Sequence, residues 1–263
     1  MKAFVFMLLA AALSVFLILQ RGAPFPAGTV VDLSYSFGSD TLYWPTAEPF
    51  RLETDFAGDT DKGYYYSAYR YSGAEHGGTH IDAPIHFARG RHAVDEIPLE
   101  QLMGAAVVID VNRQYQDNRD YQVTTQDFQN WEKQNGRIPS GAIVLLRTGH
   151  GKHYPDAAKY LGTAERGEAA VEKLHFPGLH PDSARWLTQN RPIKAIGIDT
   201  PSIDYGQSQL FESHRILFEK DIPAFENVAN LDKLPLKNLS VIALPMKIKG
   251  GSGGPLRIIA ILN

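Results

Sequence analysis

The sequence predicts an α/β or α+β fold with a strand-rich centre, and three observations predict it. Residues 105–111 (AAVVIDV) and 142–146 (AIVLL) are continuous apolar runs, the pattern of strands buried on both faces. Residues 181–190 (PDSARWLTQN) form a helix with proline in its first turn, and the buried strand 195–199 (AIGID) follows, the order of an α/β crossover. Near the C-terminus, strands at 241–247 and 256–262 flank a glycine-rich turn and make a hairpin. Ahead of all these come a short strand at 30–34 (VVDLS) and an aromatic-rich strand at 64–71 (YYYSAYRY). No internal repeat, low-complexity stretch or linker of domain-boundary length divides the chain.

Composition narrows the function. At 263 residues the chain can bury a core without disulfides or a structural metal. With 44% hydrophobic and 21% charged residues, it is not disordered, collagenous or a multi-span membrane protein. A net charge of −3 argues against a nucleic-acid partner. The absence of cysteine excludes disulfides, thiolate zinc sites, iron–sulfur clusters and a cysteine nucleophile. Any metal must therefore be held by nitrogen and oxygen.

The N-terminus carries an address. Lys2 precedes an uncharged apolar run, Ala3 to Leu19, that ends at Gln20 and Arg21. Residues 1–22 thus read as a signal peptide or membrane anchor ahead of a domain spanning 28–263. As a helix the run would be about 25 Å long, at the short end for a membrane span. No small-x-small cleavage pattern follows it, so a cleaved signal and a retained anchor both stay open. Either way the chain is expected to be exported, to the periplasm or beyond the cell, with membrane attachment through this segment as one form. The plainer alternative is a buried core helix.

The chemistry gathers in HGGTHIDAPIHF, residues 76–87. Of nine histidines in the chain, four (His76, His80, His86, His92) fall in one 17-residue window, where a uniform distribution would put about 0.6. Gly77, Gly78, Thr79, Ile81 and Pro84 disfavour a helix here. In an extended chain His80 and Asp82 point to the same side, about 6.6 Å apart along the strand. Two glycines let the chain bend so that His76 joins them. A straight strand would carry His86 about 33 Å from His76, so Pro84 must help turn the chain if His86 is to share the site. Imidazoles and a carboxylate without thiol suit Zn²⁺ or Mn²⁺. Hydrogen-bonded turn histidines are the simpler reading of each one taken alone.

This segment resembles the signature HxGTHxDxPxHF of the metal-dependent cyclase family, which includes bacterial kynurenine formamidases and isatin hydrolases. The resemblance continues through VDLS at 31–34, LRTG at 146–149, GIDTPSID at 197–204, SHRIL at 213–217, IPAFEN at 222–227 and the turn at 250–257. It implies a single α/β domain with a mixed strand-rich, barrel-like core and flanking helices. It implies His76, His80 and Asp82 as ligands of one metal, Asp82 as a bridge to a second metal held by His214 and Glu226, and His86 as the catalytic acid/base. The cofactor would be one or two Zn²⁺ or Mn²⁺ ions per subunit, and the assembly a homo-oligomer, dimer or tetramer. The expected activity is hydrolysis of C–N bonds in small amides, with an aryl formamide such as N-formyl-L-kynurenine as leading substrate. Isatin-like cyclic amides or lactones come next, and a non-catalytic metal- or ligand-binding protein is the alternative from another class. A metal lowers the pKa of bound water to about 7, and an imidazole of ordinary pKa near 6.5 can shuttle its proton.

A competing motif needs weighing. Gly250-Gly251-Ser252-Gly253-Gly254 matches G-x-S-x-G, the nucleophile elbow of serine hydrolases. That elbow needs a helix after it and a later histidine, whereas Pro255, an apolar strand and the last residue, Asn263, follow here. The segment reads as a glycine hairpin turn, which can still present backbone N–H groups to a pocket. Tyr64, Tyr65, Tyr66, Tyr69 and Tyr71 carry strand propensity, and with Phe37 and Trp44 they are also candidates for an aromatic pocket. Asp199 ends a buried strand, where either a ligand contact or a plain turn cap is expected.

Overall fold

Seven strands close on themselves into a barrel-like sheet. The structure, a computed structural model, describes residues 28–262, so the segment expected to direct export lies outside the described residues. The strands are β1 (Thr29–Asp32), β2 (Arg51–Asp59), β3 (Tyr65–Ser72), β4 (His80–Asp82), β5 (Met103–Asp110), β6 (Gln122–Val123), β7 (Ile143–Arg147), β8 (Gly178–Leu179), β9 (Ala195–Ile198), β10 (Ala224–Glu226), β11 (Leu239–Pro245) and β12 (Gly253–Leu262). Among the described residues, the helices of seven or more residues are α1 (Thr125–Asn135), α2 (Pro181–Asn190) and α3 (Glu212–Phe218). The closed order is β12-β11-β5-β7-β9-β10-β4 and back to β12, with β1 added beside β12. Strands β5, β7, β9 and β10 run parallel, and β4, β11 and β12 join them antiparallel. Among the described residues no helix is long and apolar enough to cross a membrane.

The alternation of side chains explains both layers of the core. One face packs Ile81, Val108, Leu145, Phe225, Val241 and Ile258 against one another inside the barrel. The other face turns Val107, Ile109, Val144, Leu146, Ile196 and Ile198 outward, beneath Phe128 of α1, Leu187 of α2 and Leu217 of α3. The parallel strands are therefore covered on both sides, which is why β7 and β9 read as unbroken apolar runs. The helix predicted at 181–190 is α2, and it connects the parallel neighbours β7 and β9 as a crossover.

Two elements differ from expectation. The last strand starts at Gly253, inside the predicted turn, because Gly253, Gly254 and Pro255 pair with Asp82, Ile81 and His80 of β4. The barrel closes through that pairing. The aromatic strand is β3, but it pairs with β2 in a separate two-stranded ribbon. There Tyr65, Tyr66, Tyr69 and Tyr71 are exposed, as is Tyr64 just before them.

Candidate metal centre

The site is assembled on the outer face of β4 and β10. Ile81 and Phe225 point into the barrel, so their neighbours on each strand point out. The antiparallel register sets Glu226 directly opposite His80 and Ala224 opposite Asp82. Helix α3 lies over this face and lowers His214 onto it. Upstream of β4 the chain bends at Gly78, whose φ of +53° favours glycine. A side chain there would also come within 2.9 Å of Phe37 and Thr41. The bend returns His76 to Asp82. Downstream, Pro84–His86 form one 3₁₀ turn, and the His86 ring stacks on that of His76 with centroids 3.9 Å apart.

Each histidine of the cluster has one nitrogen tied outward and one aimed inward. His80 donates from Nδ1 to the Gly78 carbonyl at 3.0 Å, and His214 donates from Nδ1 to Asp204 Oδ2 at 2.6 Å. His76 Nε2 lies 2.9 Å from Ser252 Oγ. Inward, His76 Nδ1 is 2.7 Å and His80 Nε2 3.0 Å from Asp82 Oδ1. His214 Nε2 is 3.2 Å from Asp82 Oδ2 and 3.1 Å from Glu226 Oε1. His80 Nε2 is buried and makes no aligned hydrogen bond. The inward atoms form two groups that share Asp82: His76, His80 and Asp82, and Asp82, His214 and Glu226, each with ligand atoms within 4.8 Å of one another. With each imidazole's proton on its outward nitrogen, only lone pairs face the centre. Neutral imidazoles, two carboxylates and one orphaned nitrogen are a donor set that fits a divalent cation.

The electrostatics show how strongly the cluster attracts positive charge. Burial opposes charge on His80 and His214, but Asp82 and Glu226, with Asp204 for His214, outweigh it and hold both above the ordinary histidine value. Burial likewise opposes the Asp82 carboxylate, but His76, His214 and His80 hold it well below the usual range. Burial and the nearby Asp82 push Glu226 up. The site thus draws positive charge into a dry place. His86 behaves differently: burial, with a smaller opposing pull from Asp82, pushes it down to about 4. It is neutral at pH 7 and does not keep the ordinary value near 6.5 expected from sequence.

Above the cluster opens a cavity of about 280 Å³. Leu42, Trp44, Phe87, Leu161, Pro201 and Phe211 supply its apolar walls, and among the described residues no lysine or arginine lines it. Trp44 therefore lines the pocket as a candidate did, whereas Phe37 packs at Gly78 and the tyrosines of the ribbon stay outside.

A family model described as "Putative cyclase" matches residues 31–205. The chain belongs to the cyclase family. It is 29% identical over 238 residues to isatin hydrolase of Roseibium aggregatum, covering 83% of this chain and 88% of that one. It is 28% identical over 236 residues to kynurenine formamidase of Bacillus cereus, covering 87% and 95%. Among solved structures, isatin hydrolase A from Labrenzia aggregata bound to benzyl benzoate superposes with a TM-score of 0.81 at 33% identity, covering 94% of this chain and 99% of that one. An isatin hydrolase bound to the product analogue thioisatinate superposes with a TM-score of 0.82 at 27% identity, covering 95% and 98%.

All six residues singled out in this cyclase-family chain come together: His76, His80, Asp82, His214 and Glu226 in the cluster, and His86 with Nε2 4.0 Å from Asp82. His92 does not join them and faces Asp221. Asp199 accepts from the Thr148 N–H and hydroxyl and the Gly149 N–H at the turn after β7. Sequence reading missed the outer partners. Asp204 accepts from the His214 ring and from the N–H groups of Ser213 and His214 at the start of α3. Asn227 donates to the Gly78 carbonyl that also receives His80. Asp204 ends the family-like segment 197–204 and Asn227 follows Glu226, so their position was the one available signal.

Proposed function

We propose that this chain is a metal-dependent hydrolase of the C–N bond in small cyclic aryl amides of the isatin type. One observation carries the proposal: five inward-facing acceptor side chains, among them a buried nitrogen without a partner, form the floor of an apolar cavity that His86 borders. His76, His80 and Asp82 would hold one ion and Asp82, His214 and Glu226 a second, and the nitrogen–oxygen donor set suits Zn²⁺ or Mn²⁺. A divalent cation there supplies Lewis acidity for a carbonyl and makes water acidic enough to attack at neutral pH.

The chain's own residues do the rest. Phe87, Phe211 and Trp44 take the flat face of an aryl ring and exclude water around it. His86, neutral at pH 7, accepts a proton at Nε2 from the attacking water as the C–O bond forms. The tetrahedral carbon then breaks its bond to nitrogen, and Nε2 returns that proton to the leaving amine. A low pKa makes His86 a weak base for the first transfer and a strong acid for the second.

The lining also bears on substrate choice. N-formylkynurenine carries an amino-acid head group, and among the described residues the cavity offers no lysine or arginine for its carboxylate. This favours isatin over the aryl formamide, which remains the second reading because kynurenine formamidases are relatives over 87% of the chain. The test is turnover of isatin and N-formylkynurenine by purified protein, with chelator and after addition of Zn²⁺ or Mn²⁺. Ring opening of isatin that chelator abolishes and metal restores is expected. Formamide turnover alone would reverse the order of substrates, and no metal-dependent turnover of either would leave a binding protein.

A further inference from the structure

The glycine-rich turn at 250–254 has no part in the chemistry so far, yet it touches the cluster. It is pinned on several sides. The Gly250 N–H donates to Asp95 Oδ1 at 2.8 Å, the Val94 N–H to the Gly251 carbonyl at 2.9 Å and the Ala83 N–H to the Ser252 carbonyl at 2.8 Å. Ser252 also donates its backbone N–H to Glu75 Oε2 at 3.0 Å and its hydroxyl to the same oxygen at 2.6 Å. The glycines are needed for contact. A Cβ on Gly251 would lie 2.7 Å from Glu75 Oε1, and one on Gly253 would lie 2.6 Å from His76 Cε1.

Proton counting fixes the direction of this chain of bonds. A hydroxyl has one proton and a carboxylate only accepts. Ser252 spends its proton on Glu75, so its oxygen must accept from His76 Nε2, which lies 2.9 Å away. Whenever His76 holds a single proton, that proton sits on Nε2 and the Nδ1 lone pair faces Asp82 Oδ1, 2.7 Å distant. A proton or a metal ion can sit between the two, and the tautomer set by Ser252 leaves Nδ1 open to either.

We propose that Ser252 and Glu75 are positioning residues that lock His76 in the tautomer and orientation needed to bind a divalent cation through Nδ1. The proposal rests on the metal-dependent reading above. It also gives the G-x-S-x-G segment a role, with its serine as an outer hydrogen-bond partner of a ligand and not as a nucleophile.

Chelator competition with Zn²⁺ alone tests this on purified full-length protein. Ser252→Ala should weaken zinc binding 10- to 100-fold, the usual effect of losing an outer partner. Glu75→Gln should weaken it less, since an amide oxygen still accepts from the hydroxyl. Ser252→Thr, which keeps a hydroxyl, should stay near wild type. The double variant should lose little more than Ser252→Ala, because both residues act through one chain of bonds. Turnover by Ser252→Ala should recover when zinc is raised above its weakened Kd. Zinc binding by wild type and by Ser252→Ala with equal affinity would overturn the proposal and leave the metal reading intact. Absence of zinc binding by wild type would overturn the metal reading itself. Turnover lost at saturating zinc in Ser252→Ala would overturn the positioning role in favour of a nucleophile.

Discussion

At the scale of single residues, the histidines sort by what their second nitrogen does. His80 and His214 donate outward from Nδ1 and turn Nε2 toward the carboxylates, while His86 stays neutral beside the cavity. His86→Ala should therefore keep the ion and lower kcat by about 10²–10⁴, the usual worth of a positioned acid/base. Metal content and kcat measured on the same preparation check this, and retained turnover would remove His86 from the mechanism. His150 illustrates the opposite use of burial. It is fully enclosed, with Nδ1 3.0 Å from the Tyr115 hydroxyl and Nε2 2.6 Å from the Tyr160 carbonyl. Burial is the main reason its pKa falls to about 3, although the Tyr160 bond pulls the other way. Unfolded, it would titrate near 6.5, so between pH 6.5 and 3 unfolding takes up a proton and stability falls with pH. From pH 7 to 5 this amounts to about 2 kcal/mol. The stability gap between wild type and His150→Gln, read from urea titrations, should shrink by that amount over the same range. A constant gap would mean that His150 does not resist protonation.

At the scale of elements, legibility follows the distance over which contacts form. His76 to His86 were readable because eleven residues carry the whole arrangement: Gly78 bends it, β4 alternates it and Pro84 turns it. His214 and Glu226 were not reachable by spacing. Their place depends on β10 pairing with β4 and on α3 crossing that face, which only barrel closure sets, and the family resemblance alone named them. Asp204, Ser252 and Glu75 were harder still, because residue type says nothing about which nitrogen of a distant ring they hold. The buried strands were plain in their apolar runs, whereas the start of β12 was hidden under two glycines that read as turn. Those glycines make a sharp prediction. A Cβ on Gly253 would sit 2.5 Å from the Ile81 carbonyl oxygen, so Gly253→Ala should push β12 off β4 and displace His76. A cost of about 1–3 kcal/mol is expected, as for other overpacked sites. Thermal melts should show the loss together with weaker zinc binding. Wild-type stability and affinity in that variant would mean that closure does not depend on this contact.

At the scale of the whole molecule, a cation held by the proposed site would make the cluster a clamp as well. Strand β4 has three residues, yet it closes the barrel between β10 and β12. Its outward side chains meet His214 from a helix more than a hundred residues later in the chain. Without a cation, buried carboxylates and imidazoles must satisfy each other at a desolvation cost. A cation that binds only the folded chain stabilises it by about 2.7 kcal/mol at a hundredfold excess over Kd. For a domain of this size each kcal/mol moves Tm by roughly 2–4 °C, so Zn²⁺ added to chelator-treated protein should raise Tm by roughly 5–10 °C. The rise should continue with the logarithm of zinc concentration. Substitution separates the two groups. Asp82→Ala removes the residue they share and should abolish the response, whereas His214→Ala leaves His76, His80 and Asp82 and should keep part of it. His86→Ala should respond like wild type. An unchanged Tm in wild type would refute the clamp, and equal responses in Asp82→Ala and wild type would place the ion elsewhere.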